Sequence, residues 1–158
     1  NQGTFIHVVI PFEIAEEPAV VQEMSELPRE NLSGYRILLA EDNELNREIE
    51  VFFLKDEGIS VTEAEDGQQA VELFKEKPAG TFDAILMDLM MPVMDGYTAT
   101  RKIRSLERSD AKTIPIIAIT ANAFQEDAEK CIAVGMNAHL AKPLDIEKMK
   151  KTIKSICS

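Results

Sequence analysis

From residue 35 onward, short apolar runs alternate with longer segments in which apolar residues recur every three or four positions. The runs RILLA (36–40), SVTEA (60–64), FDAILM (82–87), PIIAIT (115–120) and AHLA (138–141) predict strands. Those starting at 36, 82 and 115 are almost unbroken apolar, as expected of central parallel strands covered on both faces. Segments 45–57, 68–76, 97–106, 125–134 and 146–156 carry helical spacing. Gly58 and Gly135 fall where helices should stop, and Asp66 and Asp145 stand where the following helices need an N-cap. Such alternation with right-handed crossovers predicts an α/β fold, a doubly wound (βα)5 parallel sheet in the order 2-1-3-4-5.

The N-terminal part reads differently. Residues 4–10 form a β-rich run stopped by Pro11, and a lone strand needs a partner edge. Residues 13–34 combine acids with Pro18 and Pro28 and sustain no apolar face, so they read as an acidic linker. The expected division is a remnant strand over 1–12, the linker over 13–34 and one domain over 35–158. Pairing of the strand with its counterpart in a second chain, a homodimer, is one way to satisfy its edges.

Composition narrows the class. With 158 residues, 45% of them hydrophobic, the chain can build one core. No apolar run approaches the roughly 20 residues that cross a bilayer, so no direct membrane contact is expected. The first residue is Asn1 rather than methionine, which suggests a fragment of something longer. Two cysteines, Cys131 and Cys157, are too few for a disulfide framework and favour a cytoplasmic setting, whether or not the parent is membrane-anchored. Net charge is −11, and such a surface repels nucleic acid. Residues 1–34 hold six acids and one base, so the linker region is the denser in negative charge.

Ligands of doubly wound sheets sit beyond the carboxyl ends of the strands. Glu41 and Asp42 follow the first run, Asp88 the third, Thr120 closes the fourth, and Lys142 with Pro143 follows the fifth. Converging carboxylates repel one another, and a hard divalent cation with oxygen ligands, Mg²⁺ before Ca²⁺, neutralises them. Lysine and threonine add a positive charge and a donor for an anion. Together these groups suit phosphoryl transfer onto a carboxylate.

The runs LLAEDN (38–43), ILMDLMMPVMDG (85–96), IAITANAF (117–124) and AHLAKP (138–143) closely resemble the response-regulator receiver domain of two-component signalling, in the family's order and spacing over 36–157. ANAFQEDAEKCIAVGMNAHLAKP (121–143) looks like receivers attached to hybrid sensor histidine kinases, and GTFIHVVIPFE (3–13) is similar to the last strand of a histidine-kinase ATPase domain. The resemblance implies a flavodoxin-like fold and a phosphorelay module, not itself an enzyme, that takes a phosphoryl group from a phosphohistidine domain of a sensor kinase or from a histidine phosphotransfer protein. Asp88 would be the acceptor. Asp42 would bind Mg²⁺ directly and Glu41 mostly through water, and the Met90 backbone carbonyl would complete the shell. Lys142 would pair with phosphoryl oxygens, Thr120 would hydrogen-bond one of them, and Pro143 would follow a cis peptide. His139 falls at the family's switch position. Met90 and Asn122 would tune hydrolysis of the acyl phosphate.

Blander readings stand beside these. Glu41 and Asp42 could simply cap the first helix, and His139 could be a half-buried histidine with a satisfied nitrogen. An aspartyl-phosphate phosphatase would need a second aspartate where Met90 stands. A degenerate receiver acting only as a binding module would lose the acidic pair or the lysine, and both are kept. A flavodoxin-like FMN carrier would need a Ser/Thr/Gly-rich loop where this chain has EDNELN.

Overall fold

A computed structural model describes residues 32–121 and 125–157, all within the compact unit Asn31–Ser158. The run at 4–10, nearly all of the expected linker, and Asn122 lie outside the described residues. Strands β1 (Arg36–Ala40), β2 (Ser60–Ala64), β3 (Ala84–Asp88), β4 (Ile116–Thr120) and β5 (Ala138–Ala141) alternate with helices α1 (Glu44–Asp56), α2 (Gly67–Glu76), α3 (Gly96–Ser105), α4 (Gln125–Ala133) and α5 (Ile146–Cys157). All strand pairs are parallel, in the order β2-β1-β3-β4-β5. The expected fold is the one observed.

Alternation along the strands builds two apolar layers. Ile37, Leu39, Leu86, Ile117, Ile119 and Leu140 enter one, with Val51 and Leu54 of α1 and Met149 and Ile153 of α5. Leu38, Ile85, Met87, Ile116 and Ala118 enter the other, with Phe74 of α2, Ile103 of α3 and Cys131 of α4. β3 and β4 are buried at every position, which is why their sequences read as continuous apolar runs, whereas edge strand β2 is only partly covered. Each large aliphatic side chain fully buried this way contributes roughly 1.5–3 kcal/mol.

The helix ends follow the sequence. Asp66 accepts from the Gln69 N–H at 2.8 Å, and Asp145 from the Lys148 N–H at 3.0 Å. Gly58 and Gly135 take the left-handed φ of 79° and 97° that ends α1 and α4.

Boundaries move at β3 and at the start of the domain. The third strand begins at Ala84 rather than 82, because the Asp83 carboxylate takes the Arg36 backbone N–H at 2.8 Å and its guanidinium at 3.1 and 2.9 Å. The strand also ends one residue later than the expected run, at Asp88, in register with Ile119. The core also reaches back into the segment expected as linker. Leu32 is fully buried in the layer with Ile37, and its carbonyl accepts the Tyr35 N–H at 3.2 Å. Cys131 packs in the core as a small apolar side chain, without a disulfide.

Candidate functional site

The carboxyl ends of β1, β3, β4 and β5 form one rim. Leu39 of β1, Leu86 of β3 and Leu140 of β5 enter the same layer, so Glu41, Asp88 and Lys142, each two residues further on, emerge on that side.

Glu41 is fully buried. Its Oε1 accepts from the Asn43 N–H at 3.3 Å and from Asn46 Nδ2 at 3.1 Å, and its Oε2 accepts from Lys142 Nζ at 2.5 Å. Arg47 donates to the Glu41 carbonyl at 2.9 Å and pairs loosely with Glu63 at 3.6 Å. Asp88 is nearly buried; Oδ1 accepts from the Met90 N–H at 3.0 Å and Oδ2 from Lys142 Nζ at 2.5 Å. One ammonium therefore joins the two buried carboxylates, with Asp42 exposed beside them. Oxygens of Glu41, Asp42 and Asp88 all lie within 4.8 Å of one another.

Burial pushes the Glu41 carboxyl above its ordinary range, offset only in part by hydrogen bonds from Lys142 and Asn46 and pushed further by the charge of Asp88. Burial pulls the Lys142 ammonium down, but the hydrogen bonds to Asp88 and Glu41 outweigh it and hold the group above its usual value. Three carboxylates are hard oxygen donors, the kind that suits Mg²⁺. The capping reading of Glu41 and Asp42 has no support, since Asn43 caps α1 by accepting the Asn46 N–H at 3.0 Å.

The loop after Asp88 is held close. The Gly96 N–H donates to the Leu89 carbonyl at 3.1 Å, and a Cβ at Gly96 would overlap the Asp88 carbonyl oxygen. Asp95 caps α3 through the Thr98 N–H at 2.8 Å. Met90 is 76% exposed. Val93 stands at φ 63°, costly for a β-branched residue, and the Met94 N–H reaches back to the Pro92 carbonyl at 2.6 Å in a γ-turn.

Thr120 ends β4, and its carbonyl accepts the Lys142 N–H at 2.8 Å, tying the fourth and fifth strand ends together. The Lys142–Pro143 peptide is cis. His139 is half-buried inside β5, in register with Ala118 and on the face opposite Leu140. It is thus set back from the rim that gathers Glu41, Asp42, Asp88, Thr120 and Lys142. Surface cavities of about 410 Å³ beside Lys75 and Arg108 and about 350 Å³ beside Tyr35 and Cys157 lie at the opposite end of the sheet.

Sequence reasoning missed the cradle of Glu41. Asn43, Asn46 and Arg47 fix both its carboxylate and its carbonyl. Their signal was a cluster of amide and guanidinium side chains in the first turn of the helix that follows an acidic pair. No helix among the described residues is long and apolar enough to cross a membrane.

Comparison with known proteins extends this picture. The family described as "Response regulator receiver domain" matches residues 37–154. Histidine kinase 1 of Arabidopsis thaliana is 38% identical over an alignment of 158 residues that covers 81% of this chain and 13% of the kinase. Hybrid signal transduction histidine kinase B of Dictyostelium discoideum is 44% identical over 118 residues, 69% of this chain and 6% of its own length. The chain thus spans only a small part of these relatives. Among solved structures, the receiver domain of the sensor histidine kinase PA1611 from Pseudomonas aeruginosa PAO1, with a magnesium ion coordinated in its active-site cleft, is 42% identical with a TM-score of 0.70. That match covers 79% of this chain and 98% of the other. The Saccharomyces cerevisiae co-crystal of the histidine phosphotransfer protein Ypd1 with the receiver domain of Ssk1 matches at 32% identity and a TM-score of 0.67, over 77% and 88% of the two chains. Sheet order, rim chemistry and these similarities converge, and the chain belongs to the response regulator receiver domains of two-component phosphorelay signalling.

Proposed function

We propose that this receiver accepts a phosphoryl group from a phosphohistidine onto Asp88 in the presence of Mg²⁺, and that it serves as a switch rather than as an enzyme with a small-molecule substrate. The observation that carries the reading is the Lys142 ammonium joining Asp88 and Glu41, each at 2.5 Å, with Asp42 beside them. A nearly buried carboxylate held this way is oriented before it reacts. In the transfer an Asp88 oxygen forms a bond to phosphorus while the bond from phosphorus to the imidazole nitrogen breaks, and that nitrogen keeps the electron pair. Lys142 then has oxygens of the new acyl phosphate to pair with, and Thr120 is the hydroxyl beside it at the end of β4. Glu41, Asp42, Asp88 and the Met90 carbonyl would hold Mg²⁺, which supplies neutralisation of the charge on the transferring group. His139, half-buried within β5, is a candidate to respond when Thr120 is drawn inward.

The donor is a protein domain, and α1 offers it a surface. Leu45, Ile49, Phe52 and Phe53 are 65%, 46%, 66% and 37% exposed. Their spacing makes one apolar stripe on the helix that starts beside Glu41 and Asp42. The receiver domain of Ssk1 meets a histidine phosphotransfer protein in the yeast complex, and by similarity a donor of that kind is proposed here. Similarity to histidine kinases supports a hybrid kinase as the parent protein. Intact-mass measurement after incubation with Mg²⁺ and phosphoramidate tests the acceptor. The wild type should gain one phosphoryl group and Asp88→Asn none; equal labelling of the two contradicts the assignment.

A further inference from the structure

One buried carboxyl group stands apart from the cluster of Glu41, Asp42, Asp88 and Lys142. Glu50, in the second turn of α1, is 4% exposed, and its Oε2 has no hydrogen-bond partner among the described residues. The residues beside it on the inner face of the helix, Val51 and Leu54, belong to the apolar layer shared with Leu39, Leu86, Leu140 and α5. An aliphatic side chain would fill such a position without the cost of desolvating a carboxyl group.

Its position points to the rim. Glu41, Asp88 and Lys142 emerge on the side of the sheet that this layer covers. Glu50 lies one helical turn after Asn46, whose amide holds Glu41 at 3.1 Å. Helical side chains lean toward the N-terminus of their helix, so the Glu50 carboxyl is directed at the underside of the rim. Burial pushes that carboxyl up to about 7; the charge of Glu41 adds to the push, Lys142 opposes it, and Asp88 adds again. Other charged groups on the elements around it are engaged elsewhere. Arg47 of α1 binds the Glu41 carbonyl and pairs with Glu63 of β2. Lys150 of α5 pairs with Glu57 at 3.1 Å and Glu147 at 3.2 Å.

We propose that Glu50, through the charge of its buried carboxyl group, makes the phosphoacceptor site's hold on Mg²⁺ depend on pH near neutrality. The inference rests on the proposed Mg²⁺ site. A cation at the rim favours the ionised carboxylate beneath it, so binding expels the Glu50 proton, and by linkage affinity rises as pH passes through the range where that proton is lost.

The test is calorimetric titration of Mg²⁺ into the whole chain at pH 7, in two buffers of different protonation enthalpy, which reads protons released per ion bound. Wild type should release a measurable fraction of a proton more than Glu50→Gln, which has no such proton to lose. Its affinity should also rise several-fold more than the variant's between pH 6 and 8. Glu50→Val, which suits the apolar layer, is the second variant and should match Glu50→Gln. Equal proton release in wild type and variants, with parallel affinity profiles, overturns the role of Glu50 and leaves the metal site standing. Absence of Mg²⁺ uptake by wild type at every pH contradicts the site itself and the role of Glu50 with it.

Discussion

Lys142 Nζ lies 2.5 Å from Asp88 Oδ2, so the proposed acceptor is already held by an ammonium, and the same nitrogen reaches Glu41 Oε2 at 2.5 Å. The lysine arrives from β5 and the two acids from β3 and β1, across three of the four ladders of the sheet. Sheet register, rather than any local motif, sets this geometry.

Removing that ammonium leaves buried carboxylates facing one another. Lys142→Met should lower stability by about 1–3 kcal/mol in the presence of a chelator. Millimolar Mg²⁺ should restore most of the loss, because the cation replaces the missing charge. Thermal unfolding with and without Mg²⁺ checks this; an equal loss in both conditions would show that Lys142 does not neutralise the acid cluster.

Glu50 gives stability a pH dependence of definite sign. Its folded-state value of about 7 lies above the ordinary 4.5 of a glutamate, so its protonated form is favoured by folding. The associated stability is fully present below about 4.5 and is lost as pH rises to 7. Glu50→Gln removes this loss. Relative to wild type, the variant should therefore gain roughly 2–4 kcal/mol on going from pH 5 to pH 8. Urea unfolding of both proteins at the two pH values measures the difference, and a constant offset between them would mean that Glu50 does not titrate in this window.

Hydrolysis of the acyl phosphate needs a water held in line behind phosphorus. Met90 is 76% exposed and offers that water only a thioether, a weak acceptor. Met90→Asn or Met90→Glu should shorten the lifetime of the phosphorylated state several-fold, on the order of 1 kcal/mol in the barrier, with little change in stability. Following loss of the phosphoryl group by mass checks it. Unchanged decay in both variants means that a polar group at this position does not limit hydrolysis.

The stripe on α1 separates donor docking from chemistry. Phe52→Glu should slow transfer from a phosphorylated histidine phosphotransfer protein at least tenfold, or about 1.4 kcal/mol, while labelling by phosphoramidate stays at the wild-type rate. Parallel loss with both donors would place the defect in the site rather than in docking.

Much of this was legible in the sequence, for identifiable reasons. β3 and β4 are covered on both faces, so their runs could not be mistaken, and the rim residues follow as those at or just beyond the run ends. The start of β3 was misplaced because Phe82 and Asp83 continue the run, while the Arg36 N–H goes to the Asp83 carboxylate rather than to a backbone carbonyl, even though the Asp83 N–H still reaches the Arg36 carbonyl at 2.8 Å. α1 was harder to read. It carries apolar residues both inward, at Val51 and Leu54, and outward, at Leu45, Ile49 and Phe52, so spacing alone did not say which face meets the sheet. That ambiguity hid Glu50, a charged residue on the buried face. Leu32 was missed because a single apolar residue in a polar stretch carries no periodic signal.

Transfer from a phosphohistidine onto Asp88 is tested most directly by following radiolabelled phosphate from a phosphorylated histidine phosphotransfer protein to this chain in the presence of Mg²⁺. The label should move to the wild type as a hydroxylamine-labile acyl phosphate, and Asp88→Asn should leave it on the donor. Label that remains on the donor with wild type, or that reaches Asp88→Asn equally well, would contradict the account.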